Sequence, residues 1–333
     1  MVVEKIRVSI GSASVLWLYR GTRFKDPPTT CYLMTYKRGR CVANCSFCPQ
    51  ARDAESSLEL LSRVTWPVYD FKEVLRKLTY LPPNKRFKRI CIQALNYADN
   101  FEDIKYIVKE IRKDNVTPIS IAIPPFSEER LKELKRIGVD RVGIALDGSS
   151  QEIFDEVKGE GINGPYRWEH HFQVLKAALR VFTESKVSTH LIIGLGEKSK
   201  EVVQLIKRLN EMTITVGLFA FTPIKGTQLE NNDPPDLLRF RKIQLARYLL
   251  VVENRSVKDI TFNLKGNIIK FNLNKADLLR IVQDTDAFLT TGCPGCNRPY
   301  YTSRPSGPIY NFPRRLTQSE IRNVYDSLIK FVN

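Results

Sequence analysis

The chain has 333 residues, 43% of them hydrophobic, which suffices to bury a sizeable core as about two domains or as one α/β barrel. It carries 52 basic and 36 acidic residues, a formal charge of +16, and seven cysteines. No apolar run reaches transmembrane length, and the start, Met1-Val-Val-Glu-Lys-Ile-Arg7, lacks the h-region and cleavage site of a signal peptide, so the expectation is a cytoplasmic protein without a membrane partner. In a reducing compartment seven cysteines point to metal or redox work rather than to disulfide staples. The charge favours an acidic partner, either nucleic acid or an acidic carrier protein. Basic residues spread through most helices are equally those of a solvated surface.

From about residue 28, short apolar runs alternate with amphipathic stretches. Strands are expected at Cys31–Tyr36, Arg89–Leu95, Pro118–Ile123, Val139–Leu146, Lys186–Ile193 and Ile214–Phe221. Ile260–Asn263 reads as the start of a seventh. Helices are expected at Phe71–Leu81, Asp103–Arg112, Trp168–Thr183, Lys200–Leu209 and Ala276–Val282. A further helix starts at a Ser127 cap and runs through Ile137. Asp236–Val252 reads as a strongly amphipathic helix. Thr317–Phe331 is a terminal helix opened by a Thr-x-x-Glu capping box. Strands alternating with helices at this spacing imply a parallel sheet. Six to eight such units, with no Gly-rich dinucleotide fingerprint after the first strand, favour a barrel over an open doubly wound sheet.

The first strand leads directly into Cys41-Val-Ala-Asn-Cys45-Ser-Phe-Cys48. Three thiols at C-x3-C-x2-C spacing can hold one cubic iron–sulfur cluster. A [4Fe–4S] cube held by three thiolates keeps one iron open, and an open iron points to chemistry rather than electron storage. Zinc and disulfides are the competing readings. No second hook lies nearby to close a structural zinc site, and disulfides in so short a loop are strained. A barrel carries its chemistry at the C-terminal ends of its strands, which is where this loop falls.

With these features in order, the chain resembles the radical SAM superfamily, and within it the biotin synthase and lipoyl synthase branch. Cys48-Pro-Gln50 is similar to the end of the biotin synthase loop. His190-Leu-Ile-Ile-Gly-Leu-Gly-Glu197, Phe221-Thr-Pro-Ile-Lys-Gly-Thr-Gln-Leu-Glu230 and Ala145-Leu-Asp-Gly-Ser149 are similar to that branch's motifs on the fifth, sixth and fourth strands. The resemblance implies a TIM-type (β/α) barrel, partial or complete. It would have an N-terminal extension (1–27), a barrel (28–290) and a C-terminal cysteine-containing cap (291–333).

The resemblance also implies roles. Cys41, Cys45 and Cys48 would hold the cluster, and S-adenosylmethionine would chelate its open iron and be split to a 5′-deoxyadenosyl radical. Phe47 would lie beside the adenine, with Thr222 and Pro223 bordering it. Asp147 would accept from the ribose, a task for an acceptor-only carboxylate, or serve as a turn residue. Gly194 and Gly196 would let the backbone approach the nucleoside, with Glu197 beside them among the cofactor contacts. Gln93 stands where a carboxylate usually receives the methionyl amine. His171, beside His170, stands where an arginine meets the methionyl carboxylate, and would donate when protonated.

A biotin-type second cluster is not expected. Cys91 matches its second-strand cysteine, but Ser188 and Ser120 stand on the fifth and third strands. Instead the tail carries Cys293-Pro-Gly-Cys296, a half-site for a second iron–sulfur cluster. It is placed past the last strand, where it could fold over the barrel mouth. Cys31, Cys91, Ser303 or Ser306 would complete it; a thiol redox pair or zinc half-site is the alternative. This tail is most similar to that of the archaeal two-protein lipoyl synthases. That likeness implies sulfur insertion into an octanoyl chain on a lysine of an acidic carrier, met by the loop Tyr36-Lys-Arg-Gly-Arg40. A paralogous radical SAM partner and an electron donor such as ferredoxin would assist. Methylation, rearrangement or carbon–carbon bond formation are alternative outcomes, and an iron–sulfur nucleic-acid-binding protein is the least expected.

Overall fold

The computed structural model describes residues 2–21 and 24–333. The chain opens with β1 (Lys5–Val8) and α1 (Ile10–Val15), then β2 (Thr30–Thr35). A long loop carries the cysteines and a small hairpin, β3 (Leu60–Leu61) with β4 (Val64–Thr65), before β5 (Val68–Asp70) and α2 (Phe71–Thr79). Regular alternation follows: β6 (Arg89–Gln93), α3 (Asn100–Asp114), β7 (Ile119–Ala122), α4 (Glu128–Arg136), β8 (Val139–Gly143), α5 (Gln151–Val157), α6 (Trp168–Phe182), β9 (Val187–Ile193), α7 (Ser199–Glu211), β10 (Thr215–Ala220) and α8 (Leu237–Val251). The C-terminal part holds a second hairpin, β11 (Ile260–Phe262) with β12 (Ile268–Phe271), then α9 (Lys275–Asp284) and α10 (Gln318–Leu328).

The main sheet runs β10-β9-β8-β7-β6-β2-β1-β5, with the six strands from β10 to β2 all parallel. β10 and β5 are edges, so this is a partial TIM-type barrel. Residues 5–8, expected in an extension outside the barrel, form β1, which pairs antiparallel with both β2 and β5. The expected seventh strand at Ile260 is instead half of the separate β11–β12 hairpin, because a glycine turn at Gly266 folds it onto its own neighbour.

Helix starts follow from side-chain caps. Ser127 accepts from the Arg130 amide, Asp70 from Lys72 and Glu73, and Thr317 with Glu320 forms the anticipated capping box. α8 departs from its amphipathic reading. Arg241 and Gln244 are buried with its apolar residues, because residues 309–311 pack over its polar side. There Arg241 donates to the Ile309 and Tyr310 carbonyls, and Gln244 to Tyr310 and Asn311.

Candidate active site

The cysteine loop is pinned by its backbone from several elements. The Cys41 amide donates to the Gln50 carbonyl at 3.0 Å, Val42 to Asn96 at 2.9 Å, and Ser46 to Val157 at 2.8 Å. Gln50 is buried and donates to the Leu58 and Leu60 carbonyls, while Arg40 donates to the Pro49 and Ser56 carbonyls. Arg40, expected in a carrier-binding loop, therefore braces the cysteine loop from within. On the far side Glu55 donates to Gly226, where an added Cβ would stand 2.5 Å from the Ser56 amide nitrogen. The sixth-strand motif thus closes down on the cysteine loop.

All three thiols are free. Burial pushes each of them up, Cys45 to about 12, and proximity adds to it: Cys41 raises Cys45, and Cys45 and Cys41 raise Cys48. Thiols so costly to ionise alone are stabilised as thiolates by a cationic centre. The Asn96 amide already donates to Cys41 Sγ at 3.2 Å, the hydrogen bond that tunes an iron–sulfur centre. Among the described residues no three His, Cys, Asp or Glu side chains converge on a single ion. A cube does not require it, since each thiolate binds a different iron. The donor set fits such a cluster.

Beside these thiols lies an ion pair that sequence reading missed. Lys158 Nζ donates to Asp147 Oδ2 at 2.7 Å and to the Ala145 carbonyl at 2.8 Å, with the two side chains 6% and 12% exposed. Burial works against the charge on Lys158, but Asp147, Cys45 and Cys48 outweigh it and raise its pKa. Asp147 sits at φ +62°, a left-handed conformation fixed by backbone pairing with the fifth parallel strand, β9. A lysine 11 residues beyond an Asp-Gly turn has no recognisable spacing, so only the fold reveals it.

A cavity of about 420 Å³ runs through the barrel. Phe47, Cys48, Gln93, Asp147 and Thr222 line it, as do Cys293 and Cys296. Gly194 and Gly196, at φ +109° and +108° where side chains would be strained, are not among the lining residues, though Gly194 packs against Phe221, which is. Pro223 is not among the lining residues. Glu197, expected among the nucleoside contacts, is instead fully buried and accepts from the Gly194 and Leu195 amides. It pairs with Arg239 at 2.6 Å, so it shapes the glycine turn rather than facing the cavity. His171 is also corrected. Its ring packs edge-on against Phe154 and Tyr166, Nδ1 lies 3.0 Å from the Arg167 carbonyl, and burial then Lys158 push its pKa down to about 3. A neutral, packed imidazole does not supply a protonated donor, and Lys158 is the cation at this position in space.

A second group of thiols lies deeper. Tyr32, Cys91 and Ser120 are register partners on β2, β6 and β7. Cys296 Sγ lies 3.2 Å from Tyr32 Oη, Ser120 donates to Cys293 Sγ at 3.4 Å, and Gln93 donates to Cys91 Sγ at 3.1 Å. Burial pushes Cys91 well up, and Cys293 and Cys296 add to it, so the three thiols share one electrostatic neighbourhood. Cys31 is excluded by strand parity: one residue from Tyr32, it points into the outer core. Ser303 accepts from the Tyr310 amide, and Ser306 is exposed. Of the four expected completing residues, the fold brings only Cys91 to the hook.

The hook does not fold over the mouth. Pro294 accepts from Arg89, the first residue of β6, and Gly295 accepts from Thr29, just before β2. Both are N-terminal strand ends, opposite the cysteine loop. Thr291 and Asn311 bond the backbone of Leu218 on β10, while the Arg298 amide donates to Tyr32 on β2. The tail therefore spans the gap between the two ends of the parallel sheet and covers an edge strand. From there it climbs to Tyr301, which feels the charges of both Cys48 and Cys91. His190 and Arg298, both against Phe219, complete the lining. Burial, then Arg298, push His190 down to about 4.

A partial (β/α) barrel with a three-thiol loop after its first parallel strand defines the class. The family model described as the radical SAM superfamily matches residues 37–209, and the chain belongs to that superfamily. The chain is a radical SAM enzyme, and membership implies a [4Fe–4S] cluster and S-adenosylmethionine. It is similar to the biotin synthase of Campylobacter hominis, 27% identical over 272 residues that cover 78% of this chain and 77% of the relative. It is also similar to the biotin synthase of Methanococcus aeolicus, 24% identical over 235 residues, 68% of each. Among solved structures, methylornithine synthase (PylB) aligns at TM-score 0.51 and 15% identity, covering 73% of this chain and 67% of that one. The hydrogenase maturase HydG of Carboxydothermus hydrogenoformans aligns at TM-score 0.51 and 15% identity, covering 73% of this chain. This chain spans 55% of that HydG, and both structural likenesses bear on the fold alone. Among the described residues no helix is long and apolar enough to cross a membrane.

Proposed function

We propose that the chain inserts sulfur at an unactivated carbon of an octanoyl-type acyl chain borne on a carrier lysine, in the manner of a lipoyl synthase. The observation that supports this reading is one cavity lined both by Cys48 of the three-thiol loop and by Cys91, Cys293 and Cys296. Cys41, Cys45 and Cys48 would hold the first cluster; Cys91, Cys293 and Cys296 would hold a second. When bound, these groups supply a 5′-deoxyadenosyl radical for hydrogen abstraction and a sulfide for the resulting carbon centre.

The chain's own residues do the rest. Lys158 offsets negative charge beside Cys45, Cys48 and Asp147, and would receive the methionyl carboxylate. Asp147 keeps acceptor capacity on its second oxygen for a ribose hydroxyl. Phe47, with Phe221 and Ile153, gives the adenine an apolar wall. Tyr32 and Ser120 hold the hook against the strands, and Tyr301, near both Cys48 and Cys91, would exclude water between the two groups of thiols. An electron donor such as ferredoxin and a paralogous partner belong to the same proposal.

Anaerobic reconstitution with iron counting, followed by mass spectrometry of an octanoyl-lysine carrier after turnover, tests the reading. Two clusters per chain are expected, with Cys91→Ala or Cys293→Ala losing only one. A wild-type chain with one cluster, or one releasing 5′-deoxyadenosine without a thiolated product, would refute it. The biotin synthase relatives favour a second reading, sulfur insertion into a free small molecule, which the same mass spectrometry separates by product.

A further inference from the structure

Residues 61–65 of the β3–β4 hairpin line the cavity together with residues 299–302 and Pro305, and the exposed Arg304 and Pro305 bring this rim to the surface. Ser62 donates to the Tyr301 carbonyl at 3.4 Å, and Arg63 to the Tyr300 carbonyl at 2.7 Å. Behind this rim the throat is apolar, lined by Ile10, Phe24, Pro28, Leu61, Val64 and Trp66. Two arginines stand at this rim, Arg63 among the lining residues and Arg304 next to the lining Pro305. Arg63 is half-buried, Arg304 is exposed, and neither is in an ion pair among the described residues. They lie close enough that Arg304 adds to burial in lowering the Arg63 pKa. The nearby carboxylate of Asp26 is already engaged by Tyr300 Oη and Arg314. A cationic rim around a greasy throat, on a chain of net charge +16, matches an anionic body that carries an apolar arm.

We propose that this rim, rather than the Tyr36–Arg40 loop, is the docking surface for an acidic carrier domain, whose acyl chain passes through the apolar throat toward the thiols. The inference rests on the acyl-carrier reading above and adds where that carrier binds. Arg63 and Arg304 face its acidic surface, while Leu61, Val64 and Trp66 take the chain. A phosphate backbone would satisfy the arginines but leave the throat unused.

The test compares two probes on the reconstituted enzyme: an octanoylated acidic carrier domain and an octanoyl-lysine tripeptide. Arg304→Glu, which sacrifices no hydrogen bond, is expected to weaken carrier binding about tenfold at low ionic strength and little at high. Arg63→Glu should act similarly, and Arg63→Lys should retain most of the affinity. The tripeptide KM and the iron content should stay at wild-type values in all three. Unchanged carrier affinity in both charge reversals, or equal losses for carrier and tripeptide, overturns the docking surface while leaving the function standing. Single-stranded nucleic acid displacing the carrier at equal charge also overturns it. If the wild type thiolates neither probe, the function reading falls and this inference with it.

Discussion

Replacing Lys158 with methionine removes the cation facing Asp147 while keeping a chain of similar length. The pair is 2.7 Å apart and nearly enclosed. At an effective dielectric of about 20 such a pair attracts by about 6 kcal/mol before desolvation is subtracted. Removing one partner leaves the carboxylate uncompensated in the barrel wall, at a cost of about 3–5 kcal/mol. For a chain of 333 residues, about 4 kcal/mol lowers the melting midpoint by about 6 °C. Scanning calorimetry of the iron-free protein measures this directly. The double variant Lys158→Met/Asp147→Asn should recover more than half of the loss, because no buried charge is then left alone. A midpoint within about 1.5 °C of wild type, roughly 1 kcal/mol, would refute the reasoning, as would simple addition of the two single effects.

Four further outcomes follow. Cys31→Ala should cost about 1–2 kcal/mol by emptying a packed site, yet leave iron content unchanged, whereas Cys91→Ala should lose one cluster's iron; elemental analysis beside thermal melting separates them. Gly226→Ala meets the Ser56 amide at 2.5 Å from a backbone at φ +79°, and should cost about 3 kcal/mol or more with poor loading of the first cluster. His171 is protonated below about pH 6.5 when unfolded but, buried, only near pH 3 when folded. Its contribution is therefore complete above pH 6.5 and lost as pH falls, about 2 kcal/mol by pH 5, and urea titrations should show a shallower acid loss in His171→Phe. Thr317→Ala removes the oxygen that caps the Glu320 amide, and should destabilise the last helix by about 1 kcal/mol, read as faster amide exchange there.

Most of the alternating elements could be read from local pattern. Ser127, Asp236 and Thr317 mark helix starts by their own side chains, and the strands from Arg89 to Phe221 begin and end no more than three residues from expectation. β1 was not legible, because its pairing lies with β2 and β5 in the fold and not in its own four residues. The amphipathic reading of α8 failed because residues far along the chain cover its polar side, and Arg241 and Gln244 hydrogen-bond to that cover.

By itself the sequence determined the three-thiol loop and the parallel β/α order around it, since the loop is an eight-residue spacing and each element is written in its own local periodicity. Only the tertiary structure decided which cysteine joins Cys293 and Cys296. Cys31 and Cys91 read alike along the chain, but the pleat turns Cys31 outward and Cys91 inward, and the tail reaches Cys91 by bridging β10 to β2 from the N-terminal end of the barrel. The replacement of His171 by Lys158 as the cation near the first cluster has the same origin. Burial neutralises the imidazole, while Asp147 keeps the ammonium charged, and both effects depend on neighbours that the linear order does not announce.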